Sequence, residues 1–202
     1  MSNVDSLDWD KGGGLLPAIV QHWHSGEVLM LGYMNAAALE ATRATGKVTF
    51  FSRSRQCLWA KGESSGHWLH LKSLHVDCDG DTLLLLADPQ GPTCHRGTPT
   101  CFGDGEVAPA LAFLGQLDRL VATRHRERPD GSYTTRLFED GVRRIAQKVG
   151  EEGVETALAG VVQGDDELLD ESADLLYHLL VLLRARGLGL ADVTRRLRNR
   201  QR

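Results

Sequence analysis

Gly103-Asp104-Gly105-Glu106-Val107-Ala108-Pro109 divides this sequence of 202 residues. Glycine, acidic residues and a closing proline over seven positions have the composition of a linker. On its N-terminal side, apolar residues form short blocks bounded by turn residues. On its C-terminal side they recur at helical spacing, first at Leu111, Leu114, Leu117 and Val121. The reading is therefore two domains. Residues 1–104 are α+β, mostly strand, with a metal site. Residues 105–110 are the linker, and residues 111–202 are an all-α bundle.

Upstream, Leu15–Gln21, Val28–Met34, Val48–Ser52, Trp68–Val76 and Thr82–Ala87 read as strands. Asn35 is an N-cap for a helix over Ala36–Thr45 that stops at Gly46. Downstream, a first helix ends near Arg126. The stripe Phe138, Val142, Ile145 and Val149 predicts one second helix running to Val162. Gly164-Asp165-Asp166 starts a third that ends near Arg186, and Leu190–Arg200 forms a fourth. Gly141, Gly150, Gly153 and Gly160 fall inside the second helix. Each costs about 1 kcal/mol against alanine, so they predict close approach of another helix. Internal repeats and low-complexity tracts are absent.

Two clusters carry chemistry. The first is Asp77-Cys78-Asp79-Gly80-Asp81, followed by Cys94-His95 and Cys101. Three thiolates suit zinc and leave a fourth position for water. A structural zinc closed by His95 or His75 is the competing reading. In a strand, Asp77, Asp79 and Asp81 would share one face with Cys78 on the other. Three close carboxylates call for a hard cation, and a solvated acidic turn is the bland alternative. Cys57 reads as a buried strand thiol. Arg53, Arg55, Lys61, Ser64 and Ser65 form a basic, hydroxyl-rich stretch suited to phosphate, or else an exposed charged loop.

The second cluster pairs Glu152 with Glu155 and Glu171 with Asp174, each pair three positions apart and so on one helix face. On neighbouring antiparallel helices the four would hold magnesium and, through it, a polyphosphate. Lys148, one turn earlier, reaches for a phosphate, and His178 lies one turn beyond Asp174.

Residues 8–103 resemble phosphoribosyl-AMP cyclohydrolase of histidine biosynthesis. The resemblance is carried by Lys11-Gly12-Gly13-Gly14-Leu15-Leu16-Pro17-Ala18-Ile19-Val20-Gln21, Ser52-Arg53-Ser54-Arg55, Leu58-Trp59-Ala60-Lys61-Gly62-Glu63-Ser64-Ser65-Gly66, and the aspartate and cysteine motifs. It implies zinc on Cys78, Cys94 and Cys101, magnesium on Asp77, Asp79 and Asp81, and a homodimer whose sites draw on both chains. His67 stands where that family usually has asparagine. The implied reaction is hydrolytic opening of the adenine ring of phosphoribosyl-AMP between N1 and C6 by zinc-bound hydroxide, with His95 or His70 moving protons.

Residues 111–202 resemble phosphoribosyl-ATP pyrophosphatase, of the all-helical nucleotide pyrophosphohydrolase superfamily. Ser132-Tyr133-Thr134, Ile145–Glu152 with Glu155, and Glu171–His178 carry that resemblance. It implies hydrolysis of phosphoribosyl-ATP to phosphoribosyl-AMP and pyrophosphate. A rival is a house-cleaning pyrophosphohydrolase acting on other nucleoside triphosphates.

Composition sets outer limits. The net charge is −4, with 23 Lys and Arg against 27 Asp and Glu. This lacks the basic excess of a nucleic-acid binder, which disfavours a nucleic-acid-binding zinc module. Apolar runs are too short to span a membrane. Met1–Asp5 lacks the start of a signal peptide, so a cytoplasmic protein with free thiols is expected.

Overall fold

A computed structural model describes residues 7–103 and 110–200. Most of the expected linker, residues 104–109, lies outside the described residues. The chain separates into two compact units, residues 1–113 and 114–202.

The first unit is built on a four-stranded mixed sheet in the order β2-β1-β6-β5. Its strands are β1 (Leu16–His22), β2 (Val28–Met34), β5 (Leu69–Val76) and β6 (Leu83–Pro89). β1 runs antiparallel to β2 and parallel to β6, with Ala18 opposite Leu83. Burial alternates along both central strands, so Leu16, Ala18 and Val20 face the core together with Leu83, Leu85 and Ala87. One covered face gives this period of two. Leu85 is fully buried, and truncating such a leucine to alanine costs about 2–5 kcal/mol. Helix α1 (Ala36–Thr45) begins where the Asn35 side chain accepts the Ala38 N–H at 2.8 Å, and it ends at Gly46.

The structure adds a strand to the sequence reading. β3 (Thr49–Ser52) pairs with β4 (Cys57–Ala60) in a separate hairpin, Thr49 opposite Ala60. Cys57 is exposed there, not a buried thiol.

The second unit is helical: α2 (Ala112–Glu127), α3 (Tyr133–Asp140), α4 (Val142–Val162), α5 (Asp165–Ala185) and α6 (Leu190–Arg200). The single helix expected across Phe138–Val149 is two. Gly141 adopts φ 85° and ψ 174°, a conformation closed to other residues at low cost, so the chain breaks there although the apolar stripe continues. Ser132 caps α3, its hydroxyl accepting the Thr135 N–H. Val121, Leu137, Phe138, Ile145 and Val181 form the core of this unit.

The helix glycines do not mark the close approach expected of them. A Cβ built on Gly150 would meet open space. On Gly153 and Gly160 it would make ordinary contacts at 3.9 and 3.6 Å with Leu175 and Leu168 of α5.

Candidate functional sites in two units

The aspartate motif is the loop of the β5–β6 hairpin, not a strand. Val76 pairs with Leu83 and closes the hairpin, and Asp77–Thr82 lie between them. Two features bend the chain. Gly80 takes φ 80°. The Asp77 Oδ1 accepts the N–H groups of Asp81 (3.0 Å) and Thr82 (3.1 Å), the turn-forming habit of aspartate. The loop still brings the three carboxylates together: one oxygen each from Asp77, Asp79 and Asp81 lies within 4.8 Å of the others. Two opposed ligands of magnesium sit about 4.2 Å apart, so small movements would seat an ion. Lys11 Nζ lies 2.5 Å from both Asp79 Oδ2 and Asp81 Oδ2. This lysine holds both carboxyls below the usual carboxylate range.

The second loop of this unit is tied to β2. The Cys101 N–H donates to the Leu29 carbonyl at 2.8 Å, and the Thr100 hydroxyl donates to that of Val28 at 2.8 Å. The thiols of Cys94 and Cys101 are close enough to shift each other's pKa. The Arg96 N–H, then the Thr98 hydroxyl, lower the Cys94 thiol below its ordinary range. Burial, then the charge of Cys94, raise Cys101. Two soft donors are thus preset, one of them inclined to ionise, which fits zinc. Among the described residues, Cys78 does not complete a three-ligand cluster with them.

Cys94 and His95 open into a cavity of about 280 Å³ that Lys61, Ser64, Ser65 and His67 also line. His95 Nδ1 is 3.9 Å from Cys94 Sγ. Arg53 and Arg55 belong to the β3–β4 turn instead, where Arg53 stacks over Tyr33 at 3.8 Å and the Arg55 N–H donates to Ser52. His70 lies on β5 opposite Asp88, its Nε2 buried without a partner, and His75 bonds Ser73. Neither lines the cavity. Trp59, Gly62 and Pro92 do; Trp59 and Gly62 lie in the Leu58–Gly66 motif without a site role expected of them, and nothing in its sequence context marked Pro92. Lys11 was also missed as a partner, since 68 positions separate it from Asp79.

In the helical unit, oxygens of Glu152, Glu155 and Glu171 lie within 4.8 Å of one another. Asp174 is outside this group. Its backbone carbonyl accepts from His178 Nδ1 at 2.9 Å, and His178 Nε2 accepts the Tyr133 hydroxyl at 3.1 Å. Glu152 is 4% exposed, and a carboxylate so placed needs a partner. Lys148 supplies one at 2.7 Å and reaches Glu151 at 3.0 Å. Both carboxylates, Glu152 first, raise the lysine's pKa. Burial, then Glu171 and Glu152, raise Glu155 above the usual carboxylate range, as expected of converged carboxylates. A larger cavity of about 490 Å³ lies near α6, lined by Leu183, Val193 and Arg196 among others. It contains none of these residues.

Comparison with known families assigns both units. A family model for phosphoribosyl-AMP cyclohydrolase matches residues 30–103, and one for phosphoribosyl-ATP pyrophosphohydrolase matches residues 114–201. Two hydrolase domains therefore stand in tandem. The histidine biosynthesis bifunctional protein HisIE of Xanthomonas campestris pv. campestris is 67% identical over 197 residues, 98% of this chain and 94% of that protein. Its namesake from Escherichia coli (strain K12) is 59% identical over 194 residues, 96% and 95% of the two chains. The chain belongs to this family of bifunctional histidine-biosynthesis hydrolases. Among the described residues, no helix is long and apolar enough to cross a membrane.

Proposed function

We propose that this protein catalyses two consecutive hydrolyses. The helical unit converts phosphoribosyl-ATP to phosphoribosyl-AMP and pyrophosphate. The strand-rich unit then opens the adenine ring of phosphoribosyl-AMP between N1 and C6. The observation that carries the reading is the cavity in which Lys61, Ser64 and Ser65 face Cys94 and His95, in the same chain as the converged Glu152, Glu155 and Glu171. Phosphate donors meet soft metal donors in one unit, and hard metal donors meet a lysine in the other.

In the strand-rich unit, Lys61, Ser64 and Ser65 bind phosphate, and Arg53 and Arg55 extend the basic surface at the hairpin turn. Zinc held by Cys94, Cys101 and Cys78 would supply the Lewis acidity that brings a water's pKa towards about 7. His95, rather than His70, takes the proton of the attacking water and passes it towards N1, because His95 shares the cavity with Cys94. Asp77, Asp79 and Asp81 hold magnesium. In the helical unit Glu152, Glu155 and Glu171 hold magnesium, with Asp174 one turn away. Lys148, fixed beside Glu152, neutralises phosphate charge.

The working form is a homodimer. Val154, Leu158, Val161 and Val162 of α4 and Leu169 of α5 are 53–81% exposed, and uncovered apolar surface of this kind marks an interface. A second copy also gives Cys94 and Cys101 a third thiol, Cys78 of the partner subunit. The domains divide at the linker, residues 1–104 and 111–202, and the protein works in the cytoplasm.

Incubation with phosphoribosyl-ATP, following pyrophosphate and the ring-opened product together, tests the whole scheme. Both should form, pyrophosphate first. Turnover of dUTP in preference to phosphoribosyl-ATP would overturn the assignment of the helical unit.

A further inference from the structure

Asp79 and Asp81 already bind a cation that belongs to the chain. The Lys11 ammonium bridges one oxygen of each, at 2.5 Å to both. The backbone around it is fixed on the same hairpin loop. The Asp8 N–H donates to the Gly80 carbonyl at 2.8 Å, and the Asp8 carboxylate accepts the Lys11 N–H at 3.1 Å. Trp9 packs against the core of the sheet, and its carbonyl accepts the Gly14 N–H at 2.7 Å. Residues 8–14 are thus a closed strap that delivers one ammonium to the acidic loop.

A divalent ion on this loop would use the same carboxylates. With the ammonium still in place, a single and a double positive charge would sit roughly 4 Å apart and repel. Lys11 is about half exposed, so its side chain can swing into water without disturbing packed neighbours. We propose that Lys11 is a tethered competitor for the divalent cation of the aspartate loop. Cation binding displaces the ammonium, and the lysine sets the cation concentration at which the loop fills. The proposal rests on the reading of Asp77, Asp79 and Asp81 as cation ligands. It gives Lys11 a role distinct from theirs: it holds the Asp79 and Asp81 carboxylates together until an ion replaces it.

The test is calorimetric titration of the zinc-loaded full-length protein with Mn²⁺. Four proteins are compared: wild type, Lys11→Met, Lys11→Gln and Asp79→Asn. The glutamate cluster of the helical unit contributes equally to all four isotherms. Two partly exposed ion pairs are lost on displacement, so removing them should tighten Mn²⁺ binding about tenfold in both Lys11 variants. Asp79→Asn should weaken it. If Asp79→Asn binds as wild type does, the loop is not the cation site and the underlying reading fails. If Asp79→Asn weakens binding while the Lys11 variants bind no more tightly than wild type, the competition alone is overturned.

Discussion

The two carboxylate clusters reach the same spacing by different routes. Asp77, Asp79 and Asp81 converge within one hairpin loop, because Gly80 and the backbone N–H groups of Asp81 and Thr82 fold five consecutive residues around the Asp77 side chain. Their cationic partner, Lys11, comes from far along the chain. Glu152, Glu155 and Glu171 converge only because α4 and α5 pack together, while their partner Lys148 sits one turn away on the same helix. Local ligands with a distant counter-charge face a distant ligand with a local counter-charge. In both clusters the counter-charge eases repulsion that three carboxylates would otherwise suffer. The environments also differ. Asp79 and Asp81 are held below the usual carboxylate range by Lys11, whereas Glu155 is pushed above it by burial and its acidic neighbours.

Independence of the two sites is the first way to break this comparison, and it carries the largest expected effect. Cys94→Ser should lower ring opening by at least about a hundredfold, the scale on which weaker disturbances of metal sites already act. Pyrophosphate release should stay within about twofold of wild type. Near-normal ring opening in a zinc-free Cys94→Ser protein would end the zinc reading.

Glu155→Gln probes the other cluster, and its effects on activity and stability should have opposite signs. Loss of one ligand should slow pyrophosphate release about tenfold or more and weaken magnesium binding, with ring opening intact. Glu155 has a raised pKa in the folded protein. Its ionisation therefore opposes folding. Stability is fully present below the unfolded value near 4.5 and declines as pH rises through the folded value. Magnesium-free Glu155→Gln should then melt above wild type at pH 7, and the gap should close near pH 4. Thermal melts at the two pH values check this, and a lower melting temperature at pH 7 would refute it.

The smallest effect is expected from cutting between the units. Residues 1–105 and 108–202, expressed separately, should each fold as an oligomer and keep their own activity within a few fold. Small domains of this size fold alone when enough apolar surface is covered. Recovery of activity only on mixing the two pieces would place a shared site across the boundary.

Much of the fold was legible where local chemistry decides it. Asn35 and Gly46 bracket α1 to the residue, because a side-chain cap and a left-handed glycine are local events. The strands β1 and β6 were legible as short apolar blocks, but which face is covered was not, because Leu83–Ala87 is an unbroken apolar run and only burial alternates along it. Hairpin β3–β4 escaped notice because its turn, Ser52-Arg53-Ser54-Arg55-Gln56, contains no glycine, asparagine or aspartate; Gln56 itself takes the positive φ of 53°. The break between α3 and α4 escaped notice because a lone glycine inside an apolar stripe does not declare whether it continues the helix or ends it.

The sequence by itself determined the kinds of donor and their local grouping: soft thiols near aspartates in one half, paired carboxylates at helical spacing in the other. Only the tertiary structure decided which of them meet. Helix packing brought Glu171, but not Asp174, to Glu152 and Glu155. The loop tied to β2 placed Cys94 beside Cys101 and left Cys78 on another hairpin. The docking of residues 8–14 on the aspartate loop brought in Lys11. Periodicity and caps act over one or two turns of chain. The meeting of side chains tens of residues apart depends on the direction and phase in which whole elements pack, and local sequence does not encode these.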